Sequence, residues 1–186
     1  MTNLPIKDKP IIINDFISEE DANVLISEIN KPSEINPYPE YYKSRYGGTA
    51  FPYNKTTISL LKKYALKANL IHQELNPNEK NQIKCFKAFG SVWNVGSSGG
   101  VHIDDQDPEK FIEYSSVIYL NDEFLGGKIF FPVLDFEYKP KKYSAVFFIS
   151  DGEKWKHGIT PIEDGKRYTL LLMHTTQYQH VDPDLQ

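Results

Sequence analysis

Four residues of this 186-residue chain carry types and spacings that could do chemistry: His102, Asp104, His157 and Arg167. Two imidazoles and one carboxylate suit a mononuclear Fe(II) centre that keeps open positions for a co-substrate and oxygen. The donor set is hard to intermediate in character, so Fe(II) or Mn(II) is favoured over a closed structural zinc site. Arg167 stands ten positions after the second histidine. Its planar fork grips a carboxylate through two parallel hydrogen bonds, which suits an acidic organic co-substrate beside the metal. If both assignments hold, the chemistry is that of an oxygenase. The H-x-D spacing is common by chance, so its weight depends on the elements that carry it.

Residues at i and i+2 of a strand point to the same face, which would aim His102 and Asp104 together. His157 lies between Asp151-Gly152 and Pro161, where another strand should begin. Antiparallel pairing would bring it opposite the first two. From residue 82 onward the pattern is β, with candidate strands at 82–93, 113–120, 127–131, 144–149 and 167–175. Turn signals fall at Asn121-Asp122, Gly126-Gly127, Asp151-Gly152 and Asp164-Gly165.

The N-terminal part reads differently. Residues 10–16 form an opening strand. Ser18 then caps a helix whose first turn holds Glu19, Glu20 and Asp21, favourable at its positive end. Ala22, Leu25, Ile26 and Ile29 recur at helical spacing, and Pro32 stops the helix. A second helix fits 57–75, with Leu60, Leu61, Tyr64, Ala65, Ala68 and Ile71 along one stripe. His72 on it reads as a packing or surface residue, as do His174 and His180 elsewhere. The expectation is one domain over 1–186, with helical support at roughly 17–76 and a β core at roughly 82–176. Helices followed by many short strands imply a mainly β fold with helices on one side, not a doubly wound parallel sheet.

Composition narrows the function classes. The net charge of −4 offers no basic footprint, so no nucleic-acid partner is expected. No apolar run is long enough to span a membrane, and residues 1–8 lack the apolar stretch of a signal peptide. The single Cys85 excludes an internal disulfide and sits in an alternating run, Ile83 to Phe89, as an inert core residue. A reducing, cytoplasmic setting fits best.

Two irregular stretches invite interpretation. Residues 31–53 hold five tyrosines and four prolines. They suit either a connection that packs rings over the core or a substrate lid hinged at Gly47-Gly48, with a slight preference for the lid. Residues 96–100 lack the Gly-Lys-Ser/Thr ending of a phosphate cradle, so a tight turn delivering His102 is the better account.

Four segments in order resemble the Fe(II)/2-oxoglutarate-dependent dioxygenases, with the prolyl 4-hydroxylase-like branch the nearest. They are residues 93–104, ending Gly99-Gly100-Val101-His102-Ile103-Asp104; residues 114–121, ending Tyr119-Leu120-Asn121; Gly126-Gly127-Lys128-Ile129-Phe130-Phe131-Pro132; and residues 157–168, from His157-Gly158 to Arg167-Tyr168. The resemblance covers roughly residues 82–175, about half the chain.

It implies a double-stranded β-helix, or jelly roll, with His102, Asp104 and His157 as iron ligands. It also implies Arg167 as the anchor of the distal carboxylate of 2-oxoglutarate. Lys166 is the rival, because collagen-type members use lysine there, but the family offset selects Arg167. Tyr119 would donate to the same carboxylate, although it equally fits a packed strand. Thr169 would add a hydroxyl or simply line the barrel. Trp93 stands where many relatives carry tyrosine, which leaves that pocket wall open to question.

The implied reaction consumes O₂ and 2-oxoglutarate, releases succinate and CO₂, and hydroxylates a C–H bond, with ascorbate as a plausible reductant. The branch favours a prolyl residue in a peptide or protein. A free amino acid or other small molecule is the alternative substrate, and a non-catalytic jelly-roll peptide-binding module the alternative function. A zinc hydrolase would need a general base that the sequence does not nominate. The nucleic-acid demethylase branch carries a second arginine where this chain has Met173.

Overall fold

In the computed structural model the described residues are 8–31, 49–52, 55, 57–104 and 111–186. β1 (Ile11–Ile13) leads into α1 (Glu19–Ile29), whose Ser18 cap accepts a hydrogen bond from the Asp21 amide at 3.2 Å. That bond satisfies one of the amides that a helix start leaves unpaired. After β2 (Thr49–Pro52) comes α2 (Ile58–Leu75). Its buried stripe includes Leu61, Tyr64, Ala65 and Ala68, together with Asn69 and with His72, for which the structure selects packing over exposure. The remaining elements are strands: β3 (Lys84–Asn94), β4 (Gly99–His102), β5 (Tyr114–Tyr119), β6 (Phe124–Gly126), β7 (Ile129–Phe131), β8 (Phe136–Tyr138), β9 (Ala145–Ile149), β10 (His157–Ile159) and β11 (Ile162–Thr175).

These strands make two antiparallel sheets. The larger runs β1-β9-β5-β11-β3-β2, with β6 also pairing to β11; the smaller runs β4-β10-β7-β8. The two pack face to face as a jelly roll with helical support. Phe131 of the small sheet meets Phe148 of the large one edge-on, with ring centroids 5.2 Å apart. Both are fully buried, and burial of such a ring contributes roughly 1.5–3 kcal/mol. On the outer face of the large sheet, α1 presses Ile29 so close to Gly90 that a methyl group there would lie 2.7 Å from its Cδ1. A larger residue at position 90 would force the Ile29 side chain to move aside. Cys85 is buried, and burial pushes its thiol pKa up to about 12, so it is inert.

Several boundaries differ from the sequence reading, each for a physical reason. The expected turn at Asp164-Gly165 is a bend inside β11, which starts at Ile162. Gly165 takes φ +75°, and the register against β6 shifts between Ile162 and Asp164. A glycine that breaks the pattern can mark a bulge as readily as a chain reversal. Within the supposedly irregular 31–53, residues 49–52 form β2, an edge strand on β3 that pairs Thr49 with Val92 and Pro52 with Phe89. The proline is tolerated because an edge strand need not donate on its outer side. The Gly47-Gly48 hinge and the rest of that proposed lid lie outside the described residues. β4, β6, β8 and β10 span three or four residues each, too short for periodicity to reveal.

Candidate metal centre

β4 ends at His102 and β10 begins at His157, and the antiparallel register sets these two residues directly opposite each other. The turn before β4 is tied to the start of β11 by two backbone bonds: the Gly96 amide donates to the Ile162 carbonyl, and the Ile162 amide to the Ser97 carbonyl, both at 2.9 Å. Gly96 adopts φ +86°, which only a residue without a side chain takes at no cost. The Gly-rich turn therefore aims His102, as its sequence suggests, and Asp104 follows two residues on. One potential ligand atom from each of His102, Asp104 and His157 lies within 4.8 Å of the others.

The orientation of each group is fixed from behind. His102 Nδ1 lies 2.8 Å from the Gly100 carbonyl, and His157 Nδ1 lies 3.1 Å from the Trp155 carbonyl. A carbonyl only accepts, so both Nδ1 atoms carry the proton and both Nε2 atoms keep a lone pair. Those Nε2 atoms sit 3.4 Å (His102) and 3.7 Å (His157) from Asp104 Oδ1. The other carboxylate oxygen, Oδ2, accepts from the Ser115 hydroxyl at 2.6 Å, and Ser115 is in turn bonded to Ser150 at 2.6 Å. One oxygen is thus held by the protein while its partner faces the imidazoles.

The electrostatics keep Asp104 and His157 in ligand form. Burial would raise the Asp104 pKa, but the His157 and His102 rings and the Ser115 hydroxyl outweigh it and hold the carboxyl well below its ordinary range. Burial pushes His157 down, against the pull of Asp104. A carboxylate and a neutral imidazole are the forms that bind a metal.

The same pocket, about 640 Å³ with its open mouth, is lined by Trp93 and Arg167 as well as the triad, with Phe89, Ile129 and Phe148 among its apolar walls. Arg167 is 2% exposed, whereas its rival Lys166 faces solvent. The guanidinium carbon lies 5.5 Å from the Trp93 ring centre and 5.1 Å from that of Tyr119. No carboxylate pairs with Arg167 among the described residues. Its Nε and the Tyr119 hydroxyl are both buried without a hydrogen-bond partner. Burial lowers the Arg167 pKa and the Tyr119 phenol counters it; burial raises the Tyr119 pKa, so its proton stays available for donation.

Unpartnered buried donors are costly unless a ligand completes them, so an anion fits here. Gly127 makes room for the arginine. At φ +62°, a methyl group on it would lie 3.1 Å from Arg167 Cδ and 2.6 Å from Ile162 Cδ1.

Thr169 is fully buried, and its hydroxyl is bonded at 2.8 Å to Ser91, which lines the pocket. Ser91 and the Ser115–Ser150 pair escaped sequence reading. Ser115 had one available signal, its place in a pair of serines, Ser115-Ser116, among aromatic and aliphatic strand residues. His72 and His174 lie outside this site, in a separate buried cluster, and His180 is exposed and stacked on Phe111.

No sequence-family profile matches the chain. Among curated proteins it is 34% identical over 77 residues to prolyl 3-hydroxylase 3 of Mus musculus and 36% identical over 70 residues to prolyl 3-hydroxylase 2 of Homo sapiens. These matches take in 39% and 35% of this chain but only 10% of each relative. The fold superposes far more widely. A viral collagen prolyl hydroxylase from Paramecium Bursaria Chlorella virus-1 gives a TM-score of 0.70 at 18% identity, over 89% of this chain and 94% of that one. A Pseudomonas putida prolyl-4-hydroxylase gives 0.69 at 17%, over 89% and 91%. A prolyl hydroxylase from Trichoplax adhaerens, in complex with a hypoxia inducible factor peptide fragment, gives 0.67 at 15%, over 96% and 90%. The chain therefore has the prolyl hydroxylase fold.

Proposed function

We propose that this chain is an Fe(II)- and 2-oxoglutarate-dependent dioxygenase that hydroxylates a prolyl residue in a peptide or protein. One observation carries the reading: a two-imidazole, one-carboxylate triad and a buried arginine with no acidic partner share a single pocket. His102, Asp104 and His157 would hold Fe(II) from one side, leaving the other side open. Arg167 and Tyr119 would hold the distal carboxylate of 2-oxoglutarate. Bound there, the metal and co-substrate supply O₂ activation coupled to oxidative decarboxylation, with succinate and CO₂ as co-products.

The protein's own part is geometric and dielectric. Backbone carbonyls at 100 and 155 hold the two ligand rings, and Ser115 holds the carboxylate. Apolar walls at Phe89, Ile129 and Phe148 keep water from the reacting centre. The prolyl substrate is supported by the names of the sequence relatives and by the peptide bound to the Trichoplax adhaerens protein. Ascorbate as reductant and a cytoplasmic setting belong to the same proposal.

The test is succinate formation from 2-oxoglutarate by anaerobically purified, Fe(II)-loaded protein, with mass spectrometry for a +16 Da product across proline-containing peptides. His157→Ala is expected to bring turnover below detection. Arg167→Ala is expected to weaken co-substrate binding by roughly 2–5 kcal/mol, the usual cost of truncating a buried charged partner. Peptides that bind without stimulating succinate release would favour a non-catalytic binding module. Product from free amino acids alone would move the substrate class. Tight zinc with no oxygen-dependent turnover would overturn the reading.

A further inference from the structure

We propose that Ser91, on β3, is a third co-substrate-binding residue, donating a hydrogen bond to the distal carboxylate, with Thr169 as the residue that positions it. This rests on the assignment of Arg167 as carboxylate anchor and extends it to a residue that neither spacing nor motif nominates.

The argument begins with register. β11 is flanked by β3 and β5, and Thr169 pairs with Ser91 on one side and Tyr119 on the other. Two residues earlier on the same strand, Arg167 pairs with Trp93. Positions two apart on a strand share a face, so Ser91, Thr169 and Tyr119 form a row of hydroxyl-bearing residues directly beside the Arg167–Trp93 row. Ser91 lines the pocket together with Arg167 and Trp93.

Donor counting adds the second strand of reasoning. Ser91 is 2% exposed and Thr169 fully buried, and among the described residues the one side-chain hydrogen bond of either is the 2.8 Å bond between them. Two hydroxyls hold two donor hydrogens, and one bond uses one of them. With Thr169 donating to Ser91 Oγ, the Ser91 hydrogen is free to turn into the pocket. Nearby, Arg167 Nε and Tyr119 Oη also lack partners. Ser91 and Arg167, from adjacent strands, thus border one pocket, with the Tyr119 ring packed against the guanidinium, and a carboxylate, with two oxygens and about four lone-pair sites, can accept from more than one of these donors at once. The sequence offers Thr169 either as a hydroxyl for the co-substrate or as a barrel-lining residue. In the structure it is Ser91 that lines the pocket, with Thr169 bonded behind it.

The experiment measures binding of 2-oxoglutarate and of 2-oxopentanoate to Mn(II)-loaded protein by calorimetry. The second acid has the same five carbons but ends in a methyl group, so it reports metal and keto-acid binding without the distal carboxylate. Wild type should prefer 2-oxoglutarate strongly. Ser91→Ala should lose about tenfold of 2-oxoglutarate affinity, as expected for a hydrogen bond to a charged acceptor, and leave 2-oxopentanoate unchanged. Ser91→Ala with Thr169→Val removes both hydroxyls and strands neither, and should show the same selective loss. Thr169→Val alone should reproduce part of it.

An unchanged 2-oxoglutarate affinity in Ser91→Ala, or equal losses for both acids, overturns the role of Ser91. A wild-type protein that binds both acids equally overturns the carboxylate anchor on which it rests. The two failures are therefore told apart by the wild-type measurement.

Discussion

The protein contains two pairs of histidines that look almost alike and are set in opposite surroundings. His102 and His157 have ring centroids 4.5 Å apart with planes tilted by 51°; His72 and His174 have the same 4.5 Å spacing and a tilt of 58°. In the first pair both Nδ1 atoms face backbone carbonyls and both Nε2 atoms face Asp104. In the second pair both Nε2 atoms point at one neutral hydroxyl, Ser116, at 2.8 and 3.2 Å. His174 Nδ1 is bonded to Asn69 Oδ1 at 3.0 Å, and His72 Nδ1 has no partner. Proximity of imidazoles is therefore not what makes a metal site. On the proposed reading, a carboxylate that faces both rings does, together with backbone acceptors at each Nδ1 that turn the Nε2 atoms toward the metal position.

The largest expected effect comes from removing that distinction. Asp104→Ala leaves two rings without an anion between them, and Co(II) or Fe(II) titration should then detect no binding. Retention of tight metal binding would show that the rings alone suffice.

A second experiment probes the other pair. Burial holds the His174 pKa down at about 3 and keeps His72 well below its usual 6.5. Below pH 6.5 the unfolded chain takes up protons at these rings that the folded chain refuses, so stability is intact above that pH and falls as the pH drops. The loss approaches about 1.4 kcal/mol per pH unit for each ring. Urea midpoints of chelator-treated protein at pH 7.5, 6 and 5 should show this decline, and His174→Gln should flatten it. A variant with the wild-type slope would mean the cluster does not control acid sensitivity.

The smallest effect separates donor from support. Ser115→Ala frees Asp104 Oδ2 without touching a ligand atom, and should weaken metal affinity by about 10–100-fold. Ser115→Thr, which keeps the hydroxyl, should restore it. Unaltered affinity in the alanine variant would reduce Ser115 to a packing role.

The parts of this site that sequence reveals are those encoded by short spacing. His102 and Asp104 share a face because they are two apart, and adjacent Lys166 and Arg167 must face opposite ways; the family resemblance selects Arg167 as the inward one, and the structure buries it while Lys166 faces solvent. Both histidines of the buried cluster were read as packing or surface residues, but their mutual approach was invisible. It depends on α2, β5 and β11 meeting in three dimensions. Ser91 and Ser115 were missed for the same cause: a serine inside a strand gains its role from the residue across the ladder, and register is not written in any local run. The mainly β class with helices on one side was legible from helices followed by short strands, and the family resemblance narrowed it to a jelly roll. The three-residue strands β6 and β8 were not, since two or three alternations do not rise above chance, whereas the start of β10 at His157 was expected from the turn and proline that flank it. β2 was hidden among tyrosines and prolines because its pairing is supplied by β3.

The packing of Arg167 against Trp93 has a practical consequence. The chain has two tryptophans, and both are buried, Trp93 over the guanidinium and Trp155 beside the second ligand histidine. An anion that draws the guanidinium toward itself changes the field at the indole, so in a Trp155→Phe background the emission of Trp93 should report, in real time and without a label, the arrival and departure of the small acid.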